Sequence, residues 1–376
     1  MPQVALRDED GALAILRDSV AAFARQNPGP ARLRLLRGKG GMNQAVWRKI
    51  AEAGWIGLLV SEEAGGPGLS VREQVVVSES LGGELAPEPY AMLSVFAPAV
   101  LSACPASPRR ELLLTGAISG ERLVSVAWQD RRGGREMTAK EDASGEWILD
   151  GEKAFVEAAG DATDLLVVAS HGAQTCLFAV DPSSPGVTIT QRAGVDGGAL
   201  SNIAFHDVRI GQDRKLAVAP SAGALLDQAL ARTRLAIAAE LAGLANKALE
   251  ITVEYTRQRV QFGKPIASFQ VIQHRLVDMW MQAELASAAV RNAAELCVGN
   301  SEAAAASTAI LAAKARASDA ASMICRNAIH LHGAMGYTDE CDIGLYLKRA
   351  INLGALLGNA DAMRRLFIEN NSHPRH

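Results

Sequence analysis

Residues 255–276 read YTRQRVQFGKPIASFQVIQHRL, and the rest of the chain is organised around them. A helical run carrying Arg257 and Arg259 is expected to end at Phe262-Gly263, because Gly263 offers a helix stop and Pro265 marks a boundary. A second helix is expected from about Ser268-Phe269-Gln270. Two cations near a helix end, followed by a glycine turn, suit a phosphate or pyrophosphate; the same residues also suit a surface helix with solvated arginines.

On either side lie further helices. Residues 225–253 form one long amphipathic segment before this stretch, and 272–298 form another after it. An alanine-rich third runs from Ser301 to Leu331 and a last from 342 to 369. Alanine favours helix and permits close helix approach, so four helices of these lengths suit a bundle. Upstream the pattern changes to short β-rich runs: 123–128, 147–149, 165–169, 175–180 and 187–189, closing near Val208-Arg209-Ile210. Asp150-Gly151 and the 182–186 segment read as turns between them. The first part reads as helical. An amphipathic helix is expected over 8–26, a loop or broken helix over 27–42, and helices capped by Asn43 and by Ser70 with Glu73 in capping-box spacing. An apolar helix should follow Pro87 and Pro89 through about Ala103.

A chain of 376 residues calls for two or three domains, and 49% apolar content is ample for their cores. The net charge of −3 and the lack of a basic block argue against nucleic acid, although a local patch could hold a phosphorylated ligand. Cys104, Cys176, Cys297, Cys325 and Cys341 are odd in number, widely spaced and without a CxxC, which suits a reducing cytosol. The histidines form no metal-ligand spacing with them. The start MPQVALRDEDG lacks a signal segment and no uninterrupted 18-residue apolar run comes after it, so a soluble cytoplasmic protein with no membrane partner is expected.

The opening stretch resembles the "ERxxFGxxIxxFQ" signature of the acyl-CoA dehydrogenase flavoproteins. Residues 328–340, AIHLHGAMGYTDE, resemble that family's "AxQxHGGxGYTxE", about 70 residues on, and Gly151-Glu152-Lys153 matches its "GxK" element. The resemblance implies an α+β fold with an N-terminal helical domain (1–117), a middle β-barrel domain (118–218) and a C-terminal four-helix bundle (219–376). It further implies FAD, an acyl-CoA thioester, dimers or tetramers with like or related subunits, and electron-transfer flavoprotein as acceptor. Met92, Leu93 and Phe96 would either line the acyl pocket or fill a core.

Residue by residue, the resemblance puts Arg259 and Phe262 at the FAD pyrophosphate and adenosine part, and Gln270 beside the cofactor. Gly333 stands at the first glycine of the family's pair, where a Cβ would crowd the pyrophosphate; Ala334 replaces the second glycine, and His330 the preceding glutamine. His330 is equally readable as a phosphate donor or a core histidine. The family's "TEPxxGSD" is replaced by residues 129–137, QDRRGGREM, with three arginines, while Thr138-Ala139 matches the family's next element, "TxA/TA". An unusual flavin-ring environment is therefore expected.

The family's reaction needs a carboxylate to remove the α proton while a β hydride moves to the flavin. Without gaps, Leu356-Leu357-Gly358-Asn359 overlays the "YEGT" segment that carries the usual glutamate, with Leu357 at the base and Asn359 among the cofactor neighbours. The alternative base position, before the arginine of "ERLxxA", holds Thr233. Neither is a base. Asp361, four residues beyond Leu357, and Glu240, six residues past Arg234, are the alternatives. Three readings remain: a subunit dependent on a catalytic partner, a homo-oligomeric flavoenzyme with a relocated base, and a structural protein that binds acyl-CoA or FAD, or no cofactor, without catalysis.

Overall fold

The computed structural model describes residues 1–39, 41–218, 221–299 and 303–372. Ala219 and Ser301, the expected starts of the C-terminal domain and of its third helix, lie outside them. The helices are α1 (Ala12–Gln26), α2 (Gly29–Leu36), α3 (Gln44–Glu52), α4 (Val71–Gly83), α5 (Ala97–Ala103) and α6 (Pro108–Ile118). After strands β1 (Val124–Ala127), β2 (Thr138–Glu141), β3 (Trp147–Glu157), β4 (Asp164–His171), β5 (Gln174–Val180), β6 (Val187–Ala193), β7 (Ala199–Ile210) and β8 (Lys215–Val218) comes α7 (Ser221–Gln258). A hairpin of β9 (Val260–Gln261) and β10 (Lys264–Pro265) leads into α8 (Gln270–Val298), α9 (Ala303–His332), α10 (Ile343–Ala355) and α11 (Ala360–Ser372). The chain separates into two compact units. One is Met1–Leu35, Ser70–Ala86 and Arg234–His376; the other is Leu36–Leu69 and Pro87–Thr233.

Local chemistry explains several helix starts. Asp8 and Asp10 accept from the first N–H groups of α1, which therefore begins at Ala12 rather than at residue 8. Asn43 caps α3, and Ser70 with Glu73 closes a capping box on α4. The expected loop at 27–42 contains α2, because Pro30 falls in its first turn, where no N–H is needed. Before α5 the chain makes a π-helical turn, Ala91–Phe96, just ahead of Pro98, which lacks the N–H that a regular ladder would use. The expected last helix, 342–369, is two helices broken at 356–359.

The first unit is a helical assembly in which α4 and α7 cross at backbone distance. A Cβ on Gly82 would lie 2.1 Å from the Glu240 carbonyl, and one on Gly243 would lie 1.8 Å from that of Glu79. Tyr346 on α10 donates to the Gly83 carbonyl at 2.9 Å, so α10 is tied to the same crossing.

The second unit holds an eight-stranded mixed sheet in the order β6-β7-β3-β2-β4-β5-β8, with β1 alongside β4 in parallel. The closed β-barrel implied by the resemblance does not form: β6 and β8 are free edges and the sheet is open. The physical reason lies at those edges and at the seam. β6 is largely exposed and polar, β8 is four residues long, and β2 meets β4 through the single pair Thr138↔Ser170. Both halves instead bury one face in a shared core containing Trp147 and Phe178, ring centroids 5.3 Å apart. Burying each such aromatic or aliphatic side chain is worth about 1.5–3 kcal/mol. Asp150-Gly151 is not a turn. Both residues pair inside β3, and Gly151, at φ +143°, lets the strand pass where a Cβ would meet the Glu136 carbonyl at 2.5 Å.

Candidate functional site

The helix of the opening stretch stops at Gln258, before Phe262. Phe262 and Gly263 then adopt φ +53° and +77°, the left-handed pair that a two-residue hairpin turn requires, and join β9 to β10. This leaves Phe262 93% exposed, its ring edge-on to Phe269 with centroids 6.1 Å apart. The Ile266 N–H donates to the Arg259 carbonyl at 2.8 Å and turns the chain into α8, which Gln270 opens from an exposed position. The Arg259 guanidinium is exposed and makes no hydrogen bond or ion pair among the described residues.

The end of α9 is tied to this corner. Tyr255 stacks on His332 at 4.2 Å and donates its hydroxyl proton to the His332 carbonyl at 3.2 Å. Burial lowers the His332 pKa. Arg275 on α8 donates to His330 Nδ1 at 2.5 Å. A guanidinium can only donate, so His330 carries its proton on Nε2 when neutral. Gly333 follows at φ +62° with no atom of the chain within 4 Å of an added Cβ, so its backbone, not crowding within the chain, calls for glycine. Ala334 is exposed on the next turn. Arg259, Phe262, Gln270, His330, Gly333 and Ala334 thus sit on segments joined by direct contacts. Asn359 is engaged elsewhere: its carboxamide oxygen accepts from the Ala362 N–H at 2.9 Å and caps α11.

The loop between α10 and α11 carries Leu357, which is buried and held at φ +55°, a conformation costing about 1–3 kcal/mol for a non-glycine residue. Two basic side chains hold it there. Arg234 Nε donates to the Leu357 carbonyl at 3.2 Å. Lys314, fully buried on α9, donates to the carbonyls of Leu353 (3.0 Å), Gly354 (3.1 Å) and Gly358 (3.4 Å) and to Ser318 Oγ (3.2 Å). Desolvation first, and the Arg234 charge second, lower its pKa to about 7. Sequence reasoning missed Lys314. Its one signal is a lysine set between alanines in the apolar run 309–315, AILAAKA.

No carboxylate is available from the nearby candidates. Glu240 is buried in an ion pair with buried Arg349 at 2.7 Å. Asp361 is exposed and pairs with Arg364 at 2.8 Å. In the other unit, Thr233 is fully buried and donates to the Ala229 carbonyl at 2.7 Å, a back-bond within its own helix. Met92, Leu93 and Phe96 are buried there as well.

The unusual 129–137 segment folds onto β3. Buried Lys153 donates to Asp130 (2.6 Å) and to the Trp128 carbonyl (3.0 Å), Arg131 pairs with Glu152 (2.7 Å), and Arg135 with Asp150 (2.5 Å). Of its three arginines, Arg132 has no partner among the described residues.

Comparison with known proteins gives three consecutive matches: the acyl-CoA dehydrogenase N-terminal domain over residues 12–121, the middle domain over 131–208 and the C-terminal domain over 223–370. The chain is 31% identical over 359 residues to acyl-CoA dehydrogenase IpdE2 of Mycolicibacterium smegmatis, covering 94% of this chain and 97% of that protein. Among solved structures, a chain of the ChsE4-ChsE5 complex from Mycobacterium tuberculosis superposes with a TM-score of 0.88 at 24% identity, over all of both chains. A variant of the Tcur3481-Tcur3483 steroid ACAD gives a TM-score of 0.84 at 27% identity, over 96% of this chain and 98% of that one. No helix among the described residues is long and apolar enough to cross a membrane.

Proposed function

The chain belongs to the acyl-CoA dehydrogenase family, and we propose that it works there as a flavoprotein subunit dependent on a related catalytic partner. FAD binding is characteristic of that family. One observation carries the reading. The position of the usual base is Leu357, locked by Arg234 and Lys314, and Glu240, Asp361 and Thr233 are all engaged otherwise. Losing a general base costs about 10²–10⁴-fold in rate. A partner that supplies the carboxylate restores the chemistry.

The residues present fit FAD by the chemistry of their donors. An unpaired Arg259 guanidinium, an exposed Gln270 amide and an exposed Phe262 ring offer charge, hydrogen bonds and a stacking face to a pyrophosphate and an adenine. When bound, FAD supplies the acceptor for the substrate hydride. The chain's own share is to hold the phosphates at Arg259, with Gly333 leaving room beside His330. The same reading divides the chain at 1–117, 118–218 and 219–376, which the three matched segments support. That a solved relative is a complex of two distinct chains supports a hetero-oligomer, here with an acyl-CoA thioester as substrate and electron-transfer flavoprotein as electron acceptor.

The test is the visible spectrum of the purified chain, alone and co-expressed with a homologue, before and after anaerobic acyl-CoA. The proposal expects flavin bands that bleach only in the mixed complex. Bleaching by the chain alone would mean that another residue serves as base, and no flavin in either sample would remove the oxidoreductase reading.

A further inference from the structure

Residues 356–359 join α10 to α11 in the first unit. The Leu356 N–H donates to the Asn352 carbonyl at 3.1 Å and the Gly358 N–H to the Ala355 carbonyl at 3.2 Å, while Asn359 accepts from the Ala362 N–H. These bonds stay within neighbouring turns and do not tie the segment to the rest of the unit. The ties to other elements are the buried Leu357 side chain, Arg234 on the Leu357 carbonyl and Lys314 on the Gly358 carbonyl. Lys314 also takes the carbonyls of Leu353 and Gly354, two of the orphan acceptors at the end of α10. Leu357 and Gly358 stand at φ +55° and +107°, so the leucine is held where its backbone does not rest by itself.

The surroundings of Lys314 supply acceptors but no anion. Its Nζ meets three carbonyls and the Ser318 hydroxyl, and no carboxylate pairs with it among the described residues. The buried face of α8, from Met279 to Ala294, carries no charged residue. From α10, Arg349 is bound to Glu240 of α7, and the Tyr346 hydroxyl is given to the Gly83 carbonyl. On α11, Arg364 takes both Asp361 and Asp319 of α9. Arg234 on α7 adds a charge of like sign. An ammonium enclosed here is uncompensated, whereas one reached by water is not. Burial accordingly lowers the Lys314 pKa to about 7.

We propose that residues 356–359 form a pH-sensitive latch, closed over the neutral amine of Lys314 and opened as a unit when that amine takes a proton and water reaches it. Opening unfastens the carbonyls that Lys314 holds and lets Leu357 leave its left-handed backbone in the same event. In the open segment Lys314 titrates as a hydrated lysine near 10.5, and in the closed one near 7. Between these values the open state binds a proton that the closed state lacks. Opening therefore becomes more frequent as pH falls towards 7 and levels off below it. The latch bears on catalysis through the reading of Leu357 as the emptied base position, and in that respect it rests on the proposed function.

The test is hydrogen–deuterium exchange of the full chain at pH 7, 8 and 9, read by mass spectrometry on peptides spanning 353–363, with each rate divided by its intrinsic value at that pH. Protection of these amides is expected to rise about 50-fold from pH 7 to pH 9 in the wild type and to show no pH trend in Lys314→Met. It is also expected to be unchanged by 1 M urea, because a local opening exposes little surface. Protection that is flat with pH in the wild type overturns the latch, as does an equal rise in Lys314→Met. Protection that falls steeply with urea overturns it too, since the segment then opens with the whole fold. If Lys314→Met does not fold, the wild-type pH profile and its urea dependence still decide. Flavin takes no part in this readout, so the latch and the proposed function fail separately.

Discussion

Replacing Lys314 by methionine tests the clamp on the Leu357 loop, and the pH dependence carries the information. Lys314 is fully buried, faces three carbonyls and a hydroxyl, and has Arg234 as its charged neighbour. Its pKa falls from 10.5 in the unfolded chain to about 7 in the fold. Between those values the unfolded chain holds the proton and the folded chain does not. Stability therefore rises with pH through that window, by about 1.36 kcal/mol per pH unit, and the contribution is flat below it. Integrated from pH 6 to pH 9, the gain is about 2.7 kcal/mol. Lys314→Met abolishes this slope and leaves the Leu353, Gly354 and Gly358 carbonyls unpaired, a pH-independent cost of about 1–3 kcal/mol for each one not rescued by water. Urea unfolding of both proteins at pH 6, 7, 8 and 9 is the assay. The deficit of the variant is expected to widen with pH by about 2.7 kcal/mol over this range. Parallel profiles, or a deficit that narrows as pH rises, would refute the reasoning, since they would mean that burial does not control this ammonium.

Glu240→Gln removes the carboxylate that pairs with buried Arg349 at 2.7 Å and is expected to destabilise the fold by about 3–5 kcal/mol, while Glu240→Leu with Arg349→Met is expected to recover most of that loss in the same denaturant assay. Arg259→Ala removes an exposed cation with no partner among the described residues; it is expected to leave the melting temperature unchanged and to lower the flavin-to-protein absorbance ratio of the purified protein. Leu357→Glu is expected to let the chain alone bleach its flavin with anaerobic acyl-CoA, faster than wild type by about 10²-fold or more, and no gain in a stably folded variant would count against the placement of the base.

What could be read in advance depended on how local the physics was. The caps at Asn43 and Ser70 are set by side chains within three residues, and both are where the sequence puts them. The long helices α7, α8 and α9 follow from periodicity sustained over many turns. Errors arise where distant pairing decides. Asp150-Gly151 has the composition of a turn, but β2 and β7 flank it on both sides and hold it in a strand, with the glycine absorbing the resulting kink. Barrel closure is a still less local property. It depends on whether β6 and β8 meet, and nothing within either strand records that they do not.

The candidate site divides along the same line. Arg259, Phe262 and Gln270 lie in one contiguous stretch, so a motif identifies them, although it places the helix end too late because a hairpin with two left-handed residues looks like a stop. Leu357 is legible as an absence: a leucine in the segment where a base is needed. Lys314 is not legible, because its role lies in carbonyls some 40 residues away, and a backbone acceptor carries no sequence mark. Yet that lysine makes the leucine informative. A loop that had merely lost its glutamate would be free to relax, whereas here an unfavourable backbone conformation is kept in place by the buried Lys314 amine and by Arg234. Keeping the geometry while omitting the carboxylate is the behaviour of a subunit whose loop still has to present a defined surface, and this favours a partnered role over a decayed enzyme.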